Sequence, residues 1–483
     1  MVAQEPKEKD HNAVLADLLG SCVKQGFSRI GSSVVFTVCQ ESADRVFLVG
    51  SFNGWTESHP LKKTNSDIWQ ILLSDADIKD GDTYKLKVYH EGLQTYIADP
   101  YAVENEGAPH FNSVYRCVSD DMVNTYKTEK HAGFINRPMN IYSVRADVWN
   151  GGSHQYSDMA QDLIPYMMQM GYTHLCLSGV FEEYYEFSSN RTLKANFAPR
   201  KEQGGIDGLR GLVHLMHNSG IGVLLDRGIT DVSERVGTHE HFLADGARYW
   251  LDLYGFDGLV SSATSERSAE VLSRVYGLLK EEYKNAYFID RELCSIRISG
   301  ADAVLGDYDR VLTEFTPTEN GSLDLCARMA AMSYVLISSG KGFTSAGCEL
   351  GIAPTDAREK SSDLSIMDKN ENFYFQLFIS DLNALYLANS GLWSGTETIN
   401  VQKQGDALIA ECCAEEGSVF FAADASGRGC EIDIPFYNDE YVALDSCSER
   451  YGGKGQCTPY KPCANRLALG PYGAVVLIGE RTE

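Results

Sequence analysis

The chain has 483 residues, of which 43% are apolar and 11% aromatic, so it is long enough for two or three domains with full cores. This composition excludes a disordered chain, and no run of about 18 apolar residues predicts a transmembrane helix. The net charge of −25 would repel a phosphate backbone, so nucleic acid is not expected as a partner, and without a long apolar run no membrane is expected either.

The thirteen cysteines show no recurring spacing, and only Cys412 and Cys413 are adjacent. Zinc sites and disulfide frameworks need regular spacings, so we predict neither, and no metal or other cofactor is expected. The N-terminal segment is charged and lacks an apolar signal core. We therefore expect a cytoplasmic protein with reduced thiols.

The N-terminal quarter changes from a helical to a strand pattern. Residues 1–30 predict a polar extension with one amphipathic helix between Ala13 and Val23. From Ser33 apolar residues alternate with polar ones, and later strands are predicted at 45–49 and 84–89. Turn-rich segments separate these strands, which favours an antiparallel β-sandwich over residues 31–118.

Residues 119–395 repeat a strand and a helix. Buried strands are predicted at residues 172–177, 221–225, 255–260, 286–290 and 301–305. Repeated units of this length predict a parallel sheet, either closed as a (β/α)8 TIM barrel or open and doubly wound. The short strands of residues 396–483 predict a C-terminal all-β domain.

Several segments carry local motifs of one known family. Ser51-Phe-Asn-Gly-Trp55 and Ala98-Asp-Pro-Tyr-Ala102 resemble a carbohydrate-binding module of family 48. Residues 220–226 and 256–259 are similar to barrel strands, and 444–453 to a closing segment, of the 1,4-α-glucan (glycogen) branching enzymes. This family belongs to the α-amylase superfamily (glycoside hydrolase family 13). The resemblance implies a sandwich, a (β/α)8 barrel and a C-terminal β domain, with α-glucan as the substrate.

The family's retaining mechanism needs a carboxylate nucleophile and a carboxylic acid, helped by a third Asp. The family's Asp-Gly-Leu-Arg-Val-Asp motif reads Asp257-Gly-Leu-Val-Ser-Ser262 here, so Ser262 stands at the nucleophile position. The resemblance places Arg291 at the acid position and Thr318 at the third Asp. It also places Arg191 at the position of a sugar-stacking tyrosine.

These replacements do not support the chemistry. The hydroxyl of Ser262 carries no negative charge and has no obvious adjacent base. The guanidinium of Arg291 stays protonated at any working pH, so it cannot serve as a general acid. We therefore interpret the chain as a catalytically degenerate member of the family, a pseudoenzyme that binds glucan or an enzyme of glycogen metabolism.

Two alternatives remain open. Relocated carboxylates (Asp226, Glu292 or Glu319) would give an active branching enzyme or α-glucan hydrolase, although Glu292 should face away from Arg291 on a regular strand. An assembly or regulatory protein would bind no glucan at all. Trp55 and Trp69 are the candidates for sugar stacking, with Trp55 interpreted more readily as a core residue of the sandwich.

Overall fold

The computed structural model describes residues 25–30, 33–64, 67–107, 109–117, 139–149, 155–186, 191–229, 239–291, 296–305, 311–312, 314–315, 324–339, 341–346, 348, 370–394, 398–414, 417–434, 437–454 and 466–481. The chain divides into two compact units. The first comprises Met1–Asp120, Phe181–Lys201 and Glu234–Gly237, and the second Asp121–Val180, Glu202–Ser233 and Thr238–Glu483. The helix predicted near the N-terminus lies outside the described residues.

The first unit consists of a β-sandwich and a hairpin that comes much later in the chain. Its strands are β1 (Gly26–Ile30), β2 (Ser33–Cys39), β3 (Arg45–Gly50), β4 (Lys62–Lys63), β5 (Ile68–Ser74), β6 (Thr83–His90), β7 (Leu93–Ile97), β8 (Glu104–Asn105) and β9 (Ser113–Val114). One antiparallel sheet has the order β1-β2-β5-β4, and the other has the order β3-β6-β9-β8 with β7 paired to β6. The predicted sandwich is confirmed, and it begins at Gly26, earlier than the expected Ser33.

The core of the sandwich follows the alternation of the sequence. Val34, Phe36 and Val38 of β2 point between the sheets and are buried with Trp69 of β5. The indole nitrogen of Trp69 donates to the carbonyl of Gln40 at 3.3 Å. Trp69 is therefore a core residue.

A hairpin that the strand pattern did not predict completes the first unit. Its strands are β12 (Phe181–Glu186) and β13 (Arg191–Pro199). The ring of Phe197 stacks on Tyr101 with centroids 5.1 Å apart. Lys201 forms an ion pair with Glu104 at 3.0 Å, so the hairpin is held by both apolar and charged contacts.

The barrel of the second unit is built from strands that precede and follow this hairpin in the chain. The barrel strands are β10 (Asn140–Arg145), β11 (His174–Ser178), β14 (Gly222–Ile229), β15 (Gly258–Ser262), β16 (Tyr287–Arg291), β17 (Ala303–Leu305) and β18 (Gly342–Ser345). All are parallel, in the order β17-β16-β15-β14-β11-β10-β18.

Side chains from all seven strands meet in one apolar cluster, which contains Met139, Ile141, Cys176, Leu224, Val260, Ile289, Leu305 and Phe343. The two outermost strands of the sheet, β17 and β18, both contribute to it. The sheet therefore curves into a nearly closed barrel, which confirms the TIM-like prediction over the open, doubly wound alternative.

Helices follow the barrel strands as the repeats predicted. They are α1 (Tyr156–Met170), α2 (Gly205–Asn218), α3 (His239–Tyr254), α4 (Glu266–Glu282), α5 (Leu325–Ser339), α6 (Asn370–Ala388) and α7 (Ser390–Ser394). Helix α4 begins where the hydroxyl of Ser265 accepts from the amide of Ser268 at 3.1 Å. Helix α1 ends at Gly171, whose φ of 75° lies in the left-handed region that glycine tolerates.

A buried His–Asp contact lies where β14 and β15 begin. One carboxylate oxygen of Asp257 lies 2.8 Å from Nε2 of His217 and accepts from the amide of Val223 at 2.7 Å. The same Asp257 opens the Asp-Gly-Leu motif of the sequence. Its position at the start of the strand shows a structural role, which joins α2, β14 and β15.

The C-terminal part of the second unit is mainly antiparallel, as predicted. Its strands are β19 (Thr398–Gln404), β20 (Ala407–Ala414), β21 (Gly417–Asp424), β22 (Cys430–Asp433), β23 (Tyr437–Asp445), β24 (Arg466–Leu469) and β25 (Ala474–Arg481). Five of them form a sheet in the order β19-β20-β21-β25-β23, and β22 pairs with β24. The thiol of Cys412 on β20 contacts the carbonyl of Ile337 on α5 at 3.0 Å.

A buried carboxyl group makes the stability of the sandwich depend on pH. Asp99 accepts from the hydroxyl of Tyr84 at 2.8 Å and from the amide of Tyr101 at 2.9 Å, and burial raises its pKa to about 6. The folded state therefore holds the Asp99 proton more tightly than the unfolded chain does. Stability should be highest below about pH 4 and fall as pH rises to about 6, by on the order of 3 kcal/mol from this group.

We expect Asp99→Asn to remove this dependence, because an amide does not ionise in this range. The measurement is hydrogen exchange of the β6 amides in the full chain, compared with wild type at equal pH so that intrinsic exchange rates cancel. Asp75→Asn, which changes an exposed carboxylate of the same unit, is the control and should behave like wild type. A variant at Asp99 with unchanged pH dependence would contradict the assignment.

Candidate functional site

The C-terminal ends of the barrel strands carry the residues that the sequence singled out. Val260 of β15 and Ile289 of β16 point into the barrel interior. Side chains two residues further along a strand face the same way, so Ser262 and Arg291 also point inward, at the mouth. Ser261 pairs with Asp290, which makes Ser262 and Arg291 neighbours on adjacent strands. Enzymes with this fold build their sites at this end.

The guanidinium of Arg291 contacts residues of two other barrel strands at the mouth. Its Nη1 lies 3.5 Å from Oδ2 of Asp226 on β14, and its Cζ lies 4.9 Å from the ring centroid of Phe343 on β18. The side chain of Arg291 is 20% exposed and that of Asp226 6%. An ion pair and a cation–aromatic contact thus link three strands at the mouth.

The remaining groups near this ion pair are neutral or committed elsewhere. Burial, followed by the charge of Asp226, raises the pKa of the Cys176 thiol well above its usual value. Cys176 is therefore a neutral thiol and a poor nucleophile. Asp290 is buried on the other side of β16, where it accepts from the amide of Ile298 at 2.8 Å.

A second ion pair follows the end of β10. Nη2 of Arg145 donates to Asp147 at 2.6 Å, and Nε of Arg145 donates to the same carboxylate at 3.0 Å. Each carboxylate that the described barrel strands and this turn present near the mouth is thus paired with an arginine. The arrangement lowers the negative charge that would otherwise stabilise a cationic transition state.

The structure brings some of the predicted site residues together and leaves others undescribed. The strands that carry Asp226, Ser262 and Arg291 bring these residues to the mouth, and Ser262 is almost fully buried there. Glu292, Thr318 and Glu319 lie outside the described residues. The backbone of Arg191 begins β13 of the hairpin, so this position belongs to the first unit and its sandwich.

The pairing of Asp226 with Arg291 is a feature that sequence reasoning missed. Strand alternation predicts the direction of each side chain, whereas the contact depends on the curvature of the sheet. The hairpin segment also contains aromatic residues, of which Phe197 packs against Tyr101. That contact gives the Phe197 ring a structural role.

Neither a metal centre nor a membrane span is found in the described part of the chain. No group of three or more His, Cys, Asp or Glu residues there could hold a metal ion. No described helix combines the length and apolar character needed to cross a bilayer.

The two tryptophans of the sandwich have opposite environments. Trp55 is 39% exposed and has a φ of 61°, and its amide donates to the carbonyl of Gly50 at 2.8 Å. The interpretation of Trp55 as a core residue is therefore wrong. Trp69 is 5% exposed inside the core, so its ring offers no open face to a sugar.

The outer face of the second sheet is aromatic and charged. Glu57, two residues after Trp55, forms an ion pair with Lys87 at 2.6 Å and accepts from the hydroxyl of Tyr89 at 2.5 Å. The ammonium of Lys87 lies 5.5 Å from the ring of Tyr96, which is 38% exposed. These contacts order the face beside Trp55 without covering it.

Comparisons with known proteins agree with these domains. A family model described as carbohydrate-binding module 48 (isoamylase N-terminal domain) matches residues 19–102. The chain is 28% identical over 331 residues to a 1,4-alpha-glucan branching enzyme of Clostridium perfringens, covering 64% of this chain and 48% of that enzyme. A branching enzyme of Corynebacterium jeikeium is 32% identical over 202 residues, covering 41% of this chain and 28% of that enzyme. The chain spans about half or less of the length of these relatives.

Solved structures share the fold over nearly the whole chain. A pullulanase of Anoxybacillus sp. LM18-11, complexed with maltotetraose, has a TM-score of 0.66 at 14% identity and covers 94% of this chain and 87% of its own. The apo pullulanase of Paenibacillus barengoltzii has a TM-score of 0.67 at 12% identity and covers 95% of both chains. At such identities the likeness shows the fold alone.

We expect Arg291→Met to lower the free energy of unfolding by about 2–3 kcal/mol, because it leaves the buried carboxylate of Asp226 without its guanidinium. Asp226→Asn in the same chain should recover part of this loss, with a coupling of about 1 kcal/mol or more. Urea unfolding followed by circular dichroism measures both.

The matched control is Arg450→Met, which breaks an ion pair of the same unit with Asp381 at 2.6 Å. Because the arginine of this pair is largely exposed, its loss should cost less than about 1 kcal/mol. Equal stability of Arg291→Met and wild type would show that the mouth does not depend on the pair.

Proposed function

We propose that this chain, which resembles the branching enzymes and matches a carbohydrate-binding module 48 model over residues 19–102, binds α-glucan without reacting with it. The observation that carries this proposal is the ion pair of Arg291 with Asp226, which stands at the barrel mouth. The N-terminal module supplies the proposed binding surface.

The ion pair argues against the retaining reaction. That reaction needs two carboxyl groups about 5–5.5 Å apart, one of them protonated. The best placed rescue group, Asp226, instead has a guanidinium 3.5 Å from its oxygen. The positive charge of Arg291 lies where a cationic transition state would develop, which is the wrong sign for stabilising it.

The outer face of the module supports sugar binding. The exposed rings of Trp55 and Tyr96 each combine an apolar surface with a polar group, and rings of this kind suit the apolar faces and hydroxyls of a glucan. The left-handed φ of 61° at Trp55 and the hydrogen bond of its amide hold the backbone in place before a ligand binds. Less ordering is then required on binding.

We predict no branching, hydrolytic or disproportionating activity on amylose. Iodine absorbance and new reducing ends are the measurements, with an active branching enzyme as the positive control. Loss of the reacting groups costs several orders of magnitude in rate even where the rest of a site survives.

The variants Asp226→Asn and Glu292→Gln test the competing hypothesis of relocated carboxylates. Activity in the wild-type chain that either substitution abolishes would refute the proposal of a non-catalytic protein. Activity that both variants retain would be tested next with Glu319→Gln, and only activity that survives all three substitutions would point to a contaminating enzyme.

For binding, we expect the full chain to be retarded in native gels that contain glycogen, and Trp55→Ala to lose most of this retardation. Removing one stacking ring should weaken binding by roughly tenfold, equivalent to about 1.4 kcal/mol. Retardation should change little with salt, because the ligand is neutral.

Phe373→Ala is the matched control, since Phe373 is a 57% exposed aromatic residue of the second unit. It should be retarded like wild type. A wild-type chain that migrates equally with and without glycogen would favour the assembly or regulatory protein that binds no glucan. Loss of retardation in the control variant alone would move the binding surface to the second unit.

A further inference from the structure

We propose that the barrel mouth binds a sugar phosphate, with the guanidinium of Arg291 as the anion contact. This site is separate from the glucan-binding face proposed for the module and does not depend on it. The proposal follows from the hydrogen-bonding capacity that remains at the mouth.

Arg291 uses little of its donor capacity. A guanidinium carries five N–H donors, and charge-assisted bonds to oxygen are usually about 2.7–2.9 Å long. Among the residues that the structure describes, Arg291 donates a single bond, to Asp226, at a length of 3.5 Å. The ring of Phe343 supports one face of the guanidinium at 4.9 Å. The other donors of a partly exposed cation are therefore available to an oxyanion.

Two serines face the barrel interior at its mouth, as Arg291 does, by strand alternation. Ser262 is the neighbour of Arg291 on β15, by the pairing of Ser261 with Asp290. Ser345 follows Phe343 by two residues on β18 and so faces the same way. Ser262 is almost fully buried and Ser345 is half-buried, and a serine hydroxyl can both donate and accept a hydrogen bond.

These groups match a phosphorylated sugar in charge and in hydrogen bonding. A guanidinium binds two oxygens of a phosphate at once, which a single ammonium does not. Serine hydroxyls can donate to a phosphate oxygen or accept from a sugar hydroxyl. Of the carboxylates that the described residues place near the mouth, Asp226 lies beside the guanidinium of Arg291, which offsets its charge, and Asp147 is paired with Arg145.

Asp226 gives the proposal a distinctive test. The carboxylate competes with a bound anion for the guanidinium and repels it at short range. Asp226→Asn keeps the shape of the side chain and removes that charge. We expect this variant to bind a sugar phosphate several-fold more tightly than wild type. If the guanidinium served only to pack the barrel, neither wild type nor the variant would bind a sugar phosphate.

The experiment is isothermal titration calorimetry of the full chain with glucose 1-phosphate, inorganic phosphate and glucose as separate probes. For glucose 1-phosphate we expect a dissociation constant on the order of 1 mM or tighter, weakening as salt is raised. Glucose should show no binding in the same range. Inorganic phosphate should bind more weakly, because it lacks the sugar hydroxyls.

Substitutions at the site complete the test. Arg291→Lys should weaken binding roughly tenfold through loss of the planar fork, and Ser345→Ala should weaken it a few-fold. Circular dichroism checks that each variant is folded, and Ser345→Ala and Asp226→Asn suffice if substitutions of Arg291 do not fold. Absence of glucose 1-phosphate binding by both wild type and Asp226→Asn would overturn the proposal, and equal affinity for inorganic phosphate would overturn the assignment to a sugar phosphate.

Discussion

The need to fill the inside of a parallel barrel is the constraint on which the second unit depends. Alternate side chains of every strand turn inward, and a packed interior leaves no empty space. Apolar residues such as Leu224, Val260 and Ile289 meet this need in the middle of the barrel. At the mouth the same need is met by Arg291, which lies against Phe343 and requires the charge of Asp226. A barrel can thus keep its packing when an arginine replaces a carboxylate at its mouth.

The two units of the chain differ in where their aromatic and charged side chains lie. In the sandwich, Trp69 is buried while Trp55 remains open to solvent beside an ordered set of charged and aromatic side chains. In the barrel, charged groups are drawn together into pairs that stabilise the mouth. Binding of a neutral polymer by the first unit and of a small anion by the second would therefore rest on different physical forces, dispersion in one and electrostatics in the other.

Much of the fold could be predicted from the sequence because strand alternation is a local signal. The inward direction of Ser262 and Arg291 followed from the same signal. The exposure of Trp55 could not be predicted in this way, since it depends on a left-handed backbone after the turn at Gly54. The contact between Asp226 and Arg291 depends on sheet curvature, and the hairpin of β12 and β13 depends on partners far away in sequence. Such long-range contacts leave no periodic trace in a single sequence.

The hairpin also determines when, during synthesis, the first unit can complete its contacts. The sandwich strands end at Val114, yet Phe197 stacks on Tyr101, and Lys201 joins Arg116 as an ion-pair partner of Glu104. A ribosome that adds about 5–20 residues per second needs on the order of ten seconds to cover this distance. During that interval β10 and β11 are synthesised before Phe197, the residue whose ring stacks on Tyr101. The first unit of the nascent chain therefore waits for a segment that is encoded within the barrel, and its completion is coupled to translation of the second.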